Sequence, residues 1–203
     1  MLDRQTPQLS SSDAELIALA AAGNHRAFEL LVERHASAVL RLTTMMTGNS
    51  ASGEDALQQT FLSAFRHASS FRAEASVRTW LLTIARHTAY RLRAKQAREA
   101  PFEEPLMKLG LDAGWGSDNP ESLAMAAERN EILHHALRTL SSDDQEVLVL
   151  RDVEGLTGAE AAQILEINER ALKSRLHRAR LRLAVALRVT PSPKRGEPEG
   201  GPQ

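Results

Sequence analysis

The sequence predicts an all-α protein: two small helical domains joined by an irregular linker, the second built on a helix-turn-helix. Three observations predict it. Apolar residues recur every three or four positions over 13–98 and again over 120–189, and no segment alternates apolar and polar residues. Between them, 99–119 is irregular, broken by Pro101, Pro105, Gly110, Gly114 and Gly116. Finally, Gly155 to Leu187 reads GLTGAEAAQILEINERALKSRLHRARLRLAVAL, with start and stop signals for two helices across a tight turn. The chain has 203 residues, enough for one domain or two small ones.

Each element has its own signals. Residues 1–12 are polar and are expected to be disordered. Asp13 can cap a first helix that buries Leu16, Ile17 and Leu19 and stops at Gly23. Asn24 can cap a second, with Phe28, Leu31, Val32, Val39 and Leu42 at helical spacing and Gly48 as the stop. A third is expected from near Ser52, with Leu57, Phe61 and Phe65 as its buried stripe. After the loop SSFRAEA, Ser76 can cap a fourth running to about Arg98, with Trp80, Leu81, Ile84, Ala85, Thr88 and Leu92 inward. Asn119–Pro120 is a helix start, cap then first turn. Leu123, Ala127, Leu133, Leu137 and Leu140 continue that helix, and Ser141–Ser142–Asp143 restarts the chain. The Pro/Gly-rich 190–203 is expected to be a disordered tail.

In the helix-turn-helix, Thr157 and Glu160 form a T-x-x-E capping box for a helix over Gly158 to Leu165. Glu166 and Ile167 turn, and Asn168 caps a longer helix. Steps of about 100° place Leu172, Leu176, Ala179, Leu183 and Leu187 on one side. Arg170, Lys173, Ser174, His177 and Arg178 lie opposite, and Arg175, Arg180 and Arg182 flank the apolar stripe. An apolar back, a polar front and cationic flanks suit a helix that reads base edges and touches phosphates.

A net charge of −1 does not by itself suggest a nucleic-acid binder, but its distribution does. Residues 66–98 hold Arg66, Arg72, Arg78, Arg86, Arg91, Arg93, Lys95 and Arg98 against Glu74 alone, a second basic block. Within it Thr83, Arg86, His87 and Tyr90 form an i, i+3, i+4, i+7 stripe at the edge of the inner side and outward. Cations that meet phosphates and rings that stack on bases suit single strands. An ordinary amphipathic helix with a polar outer face has the same spacing.

Cysteine is absent, which excludes disulfides, thiolate ligands and cysteine nucleophiles. No apolar run approaches the roughly 20 residues that span a membrane, and the N-terminus has no signal core, so a cytoplasmic protein without membrane insertion is expected. Phosphate-cradling glycine loops do not occur. His134 and His135 are adjacent and diverge on a helix, a poor chelating pair. Neither a catalytic constellation nor a metal or cofactor site is expected.

Three stretches resemble a bacterial sigma factor of the sigma-70 family, specifically the extracytoplasmic-function (ECF) group. AFELLVERHASAVLRL with GEDALQQTFLSAFRHASSF resembles the start of the sigma-2 domain. SVRTWLLTIARHTAYRLR resembles its promoter-melting helix, and LSSDDQEVLVLRDVEGLTGAEAAQIL with LKSRLHRAR resembles the sigma-4 domain. Together they cover roughly Ser12 to Leu187 in the family's order. The resemblance implies binding of core RNA polymerase through Asp55, Gln58 and Gln59. It implies opening of the −10 element by Phe71, Arg72, Thr83, Arg86, His87 and Tyr90. It implies reading of the −35 element in promoter DNA by Arg170, Lys173, Ser174, Arg175, His177 and Arg178, and control by an anti-sigma factor. The implied linker threads through polymerase. Departures from the family pattern are Glu166 for a frequent Gly, Ala171–Leu172 for Thr–Val, Gln59 for an acid, and His87 and Arg91 for Asn and Asp. A stand-alone helix-turn-helix regulator would explain the C-terminal half only, and a helical adaptor would leave both basic faces unexplained.

Overall fold

In the computed structural model the described residues are 10–99, 132–133 and 135–189, and their regular structure is entirely helical. Helix α1 is Asp13–Ala21. Its cap is Ser12, one residue before the Asp13 expected: the Ser12 hydroxyl accepts from the Glu15 amide, and Glu15 reaches back to the Ser12 amide. Residues 10–12, expected to be disordered, therefore include the cap itself. Asp13 instead ties α1 to α2, bonding Arg34 and His35 at 2.7 Å each. Burial pushes the Asp13 carboxyl up, but its bonds to Arg34 and His35 outweigh it and hold the pKa below the ordinary value.

Helix α2, His25–Thr47, is capped by Asn24 and ended by Gly48, whose φ of 84° is open to glycine. Helix α3, Ser50–Arg66, starts two residues before the expected Ser52, because Asn49 accepts from the Ser52 amide at 2.8 Å. Its buried face also differs from expectation. Gly53, Ala56, Thr60, Phe61 and Ala64 are buried, whereas Leu57 and Phe65 are only half-buried. The reason is the closeness of α2: a Cβ on Gly53 would lie 2.2 Å from Thr44 Oγ1 and 2.7 Å from Thr44 Cα. Small residues allow that approach, and the Thr43 hydroxyl donates to the Gly53 carbonyl at 2.9 Å. The aromatics sit to one side, Phe28 edge-on to Phe61 and Phe65 with centroids 6.3 and 5.0 Å apart.

A single 3-10 turn, Ala68–Ser70, leads to Phe71. Helix α4 is Val77–Glu99, with the Ser76 hydroxyl accepting from the Thr79 amide at 3.1 Å. Leu81, Ala85 and Thr88 are buried as expected, while Trp80, Ile84 and Leu92 are half-buried. Leu82 and Ala89 are buried as well. The buried surface is wide because α4 packs against α2 and α3 and also against the C-terminal half. Enclosed leucines such as Leu16, Leu31, Leu42, Leu81 and Leu82 each stabilise the fold by about 1.5–3 kcal/mol.

The expected helix start at Asn119–Pro120, the linker's interior and the tail lie outside the described residues; helical backbone is present at 135–138. Helix α5, Ser142–Leu148, is capped by Ser141 and runs on into a π-helical turn, Val149–Val153. Helices α6, Gly158–Leu165, and α7, Glu169–Val189, complete the chain. Leu172, Leu176 and Ala179 of α7 are buried and Leu183 is half-buried, but Leu187, expected in the same stripe, is 39% exposed.

Candidate nucleic-acid interface

The turn between α6 and α7 is made by local chemistry. Thr157 and Glu160 cap α6 reciprocally, with Thr157 donating to the Glu160 carboxylate from its amide and its hydroxyl at 2.9 and 2.8 Å. Those bonds hold the Glu160 carboxyl below its ordinary pKa. Glu166 ends α6 in the left-handed region, φ 56° and ψ 39°. Asn168 then accepts from the Ala171 amide at 2.8 Å, which starts α7. With its apolar stripe seated, α7 presents Arg170, Lys173, Ser174, His177 and Arg178 as one exposed face.

The flanking arginines are held differently from expectation. Arg175, half-buried, pairs with Asp143 at 3.4 Å, Arg180 pairs with Asp152, and Arg182 with the buried Asp144. All three acids come from α5 and its π-helical extension. These cations thus hold α7 on its own half, and the hydrogen bond that Arg180 donates to Asp152 raises the pKa of Arg180.

In the N-terminal half, Phe71 packs edge-on against Trp80 with centroids 5.4 Å apart, at the mouth of an exposed loop holding Arg72. Ala73 in this loop has φ 56°. Thr83 bonds back to the Thr79 carbonyl at 2.9 Å and is half-buried. The stripe expected at the edge and outward divides here. His87 is exposed, with Nε2 3.1 Å from Glu166. Arg86 and Tyr90 instead turn to Glu146 of α5, whose side chain is 1% exposed. Arg86 Nε donates to it at 3.0 Å and the Tyr90 hydroxyl at 2.9 Å, with the guanidinium 4.8 Å from the Tyr90 ring centroid. Burial works against the charge on Arg86, but the Glu146 hydrogen bond prevails and raises its pKa; burial and the same carboxylate raise that of Tyr90.

Sequence reasoning missed the acids that cause this. Glu154, also 1% exposed, accepts from Arg41 at 2.6 and 3.1 Å and from Arg78 at 2.6 Å. Glu160 accepts from Thr79 at 3.2 Å and Ser76 at 3.4 Å. Nothing in the local pattern marks Glu146 and Glu154 as buried, since their partners lie 56 to 113 residues away; Glu160 was expected as a cap, but not its contacts with α4.

On α3, Asp55, Gln58 and Gln59 are all exposed. Leu62, not singled out from the sequence, continues that face at i+7, i+4 and i+3 and is 56% exposed. Its signal was the same helical spacing. Among the described residues no group of three or more His, Asp or Glu side chains is arranged to hold a metal, and no helix is long and apolar enough to cross a membrane.

The chain matches the family Sigma-70 region 2 over residues 31–99 and the family Sigma-70, region 4 over residues 130–183. It is 37% identical over 178 residues to the ECF RNA polymerase sigma factor SigM of Mycobacterium tuberculosis, covering 87% of this chain and 85% of that one. It is 30% identical over 174 residues to the ECF RNA polymerase sigma-E factor of Haemophilus influenzae, covering 83% and 92%. The chain belongs to the ECF group of sigma-70 factors. Its fold agrees: the sigma factor RpoE of Bartonella quintana, solved with the anti-sigma factor NepR, aligns with TM-score 0.64 at 26% identity over 80% of this chain and 97% of that one. CnrH, solved with the cytosolic domain of CnrY, aligns with TM-score 0.63 at 25% identity over 88% and 98%. This sigma factor is therefore a promoter-directing protein, and members of its family are not enzymes.

Proposed function

We propose that this sigma factor divides its work along the chain, with residues 13–98 binding core polymerase and opening the −10 element, 99–119 linking, and 120–189 reading the −35 element. It acts in the cytoplasm with polymerase and has no catalytic activity of its own. The single observation that carries this is the pair of differently built basic surfaces, one on α7 and one around α4. The α7 face, with Arg170, Lys173, Ser174, His177 and Arg178 exposed together, suits a major groove, where Arg and Lys pair with guanine and flanking cations meet phosphates. Arg175 contributes there once its Asp143 contact gives way to phosphate.

The surface around α4 suits an extruded base instead. Phe71 on Trp80 offers a rigid aromatic edge beside a loop, and Arg72, Arg86, His87 and Tyr90 supply cations and rings to a separated strand. Thr83 lies on the same side. Asp55, Gln58 and Gln59, with the exposed Leu62, form a mixed polar and apolar face of the kind protein interfaces use, and we assign it to polymerase. The relatives solved with NepR and CnrY support an anti-sigma partner for this chain too.

The test is promoter opening. Phe71→Ala and His87→Ala should impair permanganate reactivity of unpaired thymines more than closed-complex affinity, and a mismatched −10 bubble should restore much of the opening. Normal opening and base preference in both variants would remove the −10 assignment.

A further inference from the structure

We propose that Glu169 is a specificity-determining residue: its carboxylate accepts from the N4 amino group of one cytosine in the −35 element and turns away the other bases there. This rests on the −35 reading above and adds to it a residue outside the assigned face, with the base it selects. Glu169 is the first residue of α7 and the one acid in that helix. It is exposed, beside the exposed Arg170 and one turn before the exposed Lys173. Asn168 holds this turn by accepting from the Ala171 amide at 2.8 Å. Residues at the start of such a helix are those that meet base edges. The carboxylate also stands beside the start of α6: Oε2 lies 3.5 Å from the point that a Cβ on Gly158 would occupy.

Glu169 differs from the acids around it in lacking a partner. Arg175 takes Asp143, Arg182 takes Asp144, Arg180 takes Asp152 and His87 faces Glu166, whereas Glu169 has no ion-pair partner among the described residues. Brought into a groove between phosphates, an unpaired carboxylate is repelled and loses water. A donor on a base edge offsets both. In the major groove only cytosine N4 and adenine N6 donate. Adenine sets its N7 acceptor beside N6, against the second carboxylate oxygen, and guanine and thymine present acceptors there without a donor. Cytosine is the base that fits. The neighbouring Arg170 has the complementary preference, for guanine O6 and N7. The same carboxylate that accepts from cytosine repels the acceptors of the wrong bases, so it selects by exclusion as well as by attraction.

A carboxylate at a helix start also gains from the helix dipole, so the test reads base preference rather than stability. Holoenzyme is assembled from core polymerase and the full chain, and transcripts are sequenced from promoters with a randomised −35 element. Wild type should favour cytosine at one position of one strand by about tenfold. Glu169→Ala should lose that preference at that position alone, and initiation from promoters with guanine or thymine there should rise several-fold above wild type. A merely structural role cannot yield that gain. Glu169→Gln, which keeps the size of the side chain, should admit adenine, because an amide pairs with N6 and N7 together. Both variants should keep wild-type helical circular dichroism. An unchanged preference profile in both variants, or a uniform loss at every position, overturns the proposal. Lys173→Ala separates this from the reading beneath it. If Lys173→Ala alters −35 preference and Glu169→Ala does not, only the role of Glu169 is wrong; if wild type shows no preference anywhere in the −35 element, the −35 reading falls and this proposal with it.

Discussion

Lys173 and Arg178 show what one exposed residue is asked to do. Both stand on the α7 face away from its buried leucines. Changing either to Ala should cost about 1–3 kcal/mol at a promoter whose base it reads, and preference at that base should relax. If it touches only phosphate, loss should be uniform across promoters and the salt slope should fall by about one. Transcription unaffected by both changes would remove the reading face. Glu160 is a second such residue, with stability linked to pH. Its folded pKa lies below the usual 4.5 because of the Thr157 amide and hydroxyl. A depressed carboxylate stabilises the fold above its unfolded pKa and loses that contribution as pH falls through the folded value. Glu160→Gln still completes a capping box, so at neutral pH it should cost less than about 1 kcal/mol. The difference in melting temperature from wild type should close as pH drops below 4.5; a constant difference down to pH 3 would contradict the assignment. This box was legible in the sequence because all its atoms lie within four residues. The burial of Glu146 was not, because its partners Arg86 and Tyr90 belong to a distant helix.

At the scale of elements, the reading from periodicity placed α2, α4, α6 and α7 close to where they are, since Asn24, Ser76, Thr157 and Asn168 each cap from within their own turn. It misjudged α3. Leu57 and Phe65 are larger than Ala56 and Ala64, and a sequence pattern weights size; the helix buries the small residues because α2 crosses close by. Gly53 marks the tightest point. Gly53→Ala should destabilise the protein by about 1–3 kcal/mol, since the new methyl meets the backbone of Thr44 as well as its hydroxyl. The opposite outcome, the stabilisation of roughly 1 kcal/mol that Ala gives over Gly in an open helix, would show that α2 and α3 are not so close. Denaturant midpoints decide between them.

For the whole molecule, the same helices carry a fold and a sequence of contacts. Region 2 surrounds α4, region 4 presents α7, and the acids between them join the halves of the free chain. The basic blocks could be read from charge distribution, but which arginines are occupied could not. Arg175, Arg180 and Arg182 are engaged by α5 and its π-helical turn, and Arg41, Arg78 and Arg86 by glutamates of the other half. An account in which these surfaces act together predicts little action on duplex DNA without polymerase. It also predicts that Asp55→Arg, at the exposed start of the α3 face, abolishes recovery with core enzyme while the protein stays folded.

The measurement that bears most directly on that account is run-off transcription on a genomic DNA library with purified core polymerase, with and without this protein. Discrete start sites should appear only when both are present, and Asp55→Arg should abolish them. Absence of initiation with both, or tight, dimeric, sequence-specific protection of duplex DNA by the protein alone, would contradict the account.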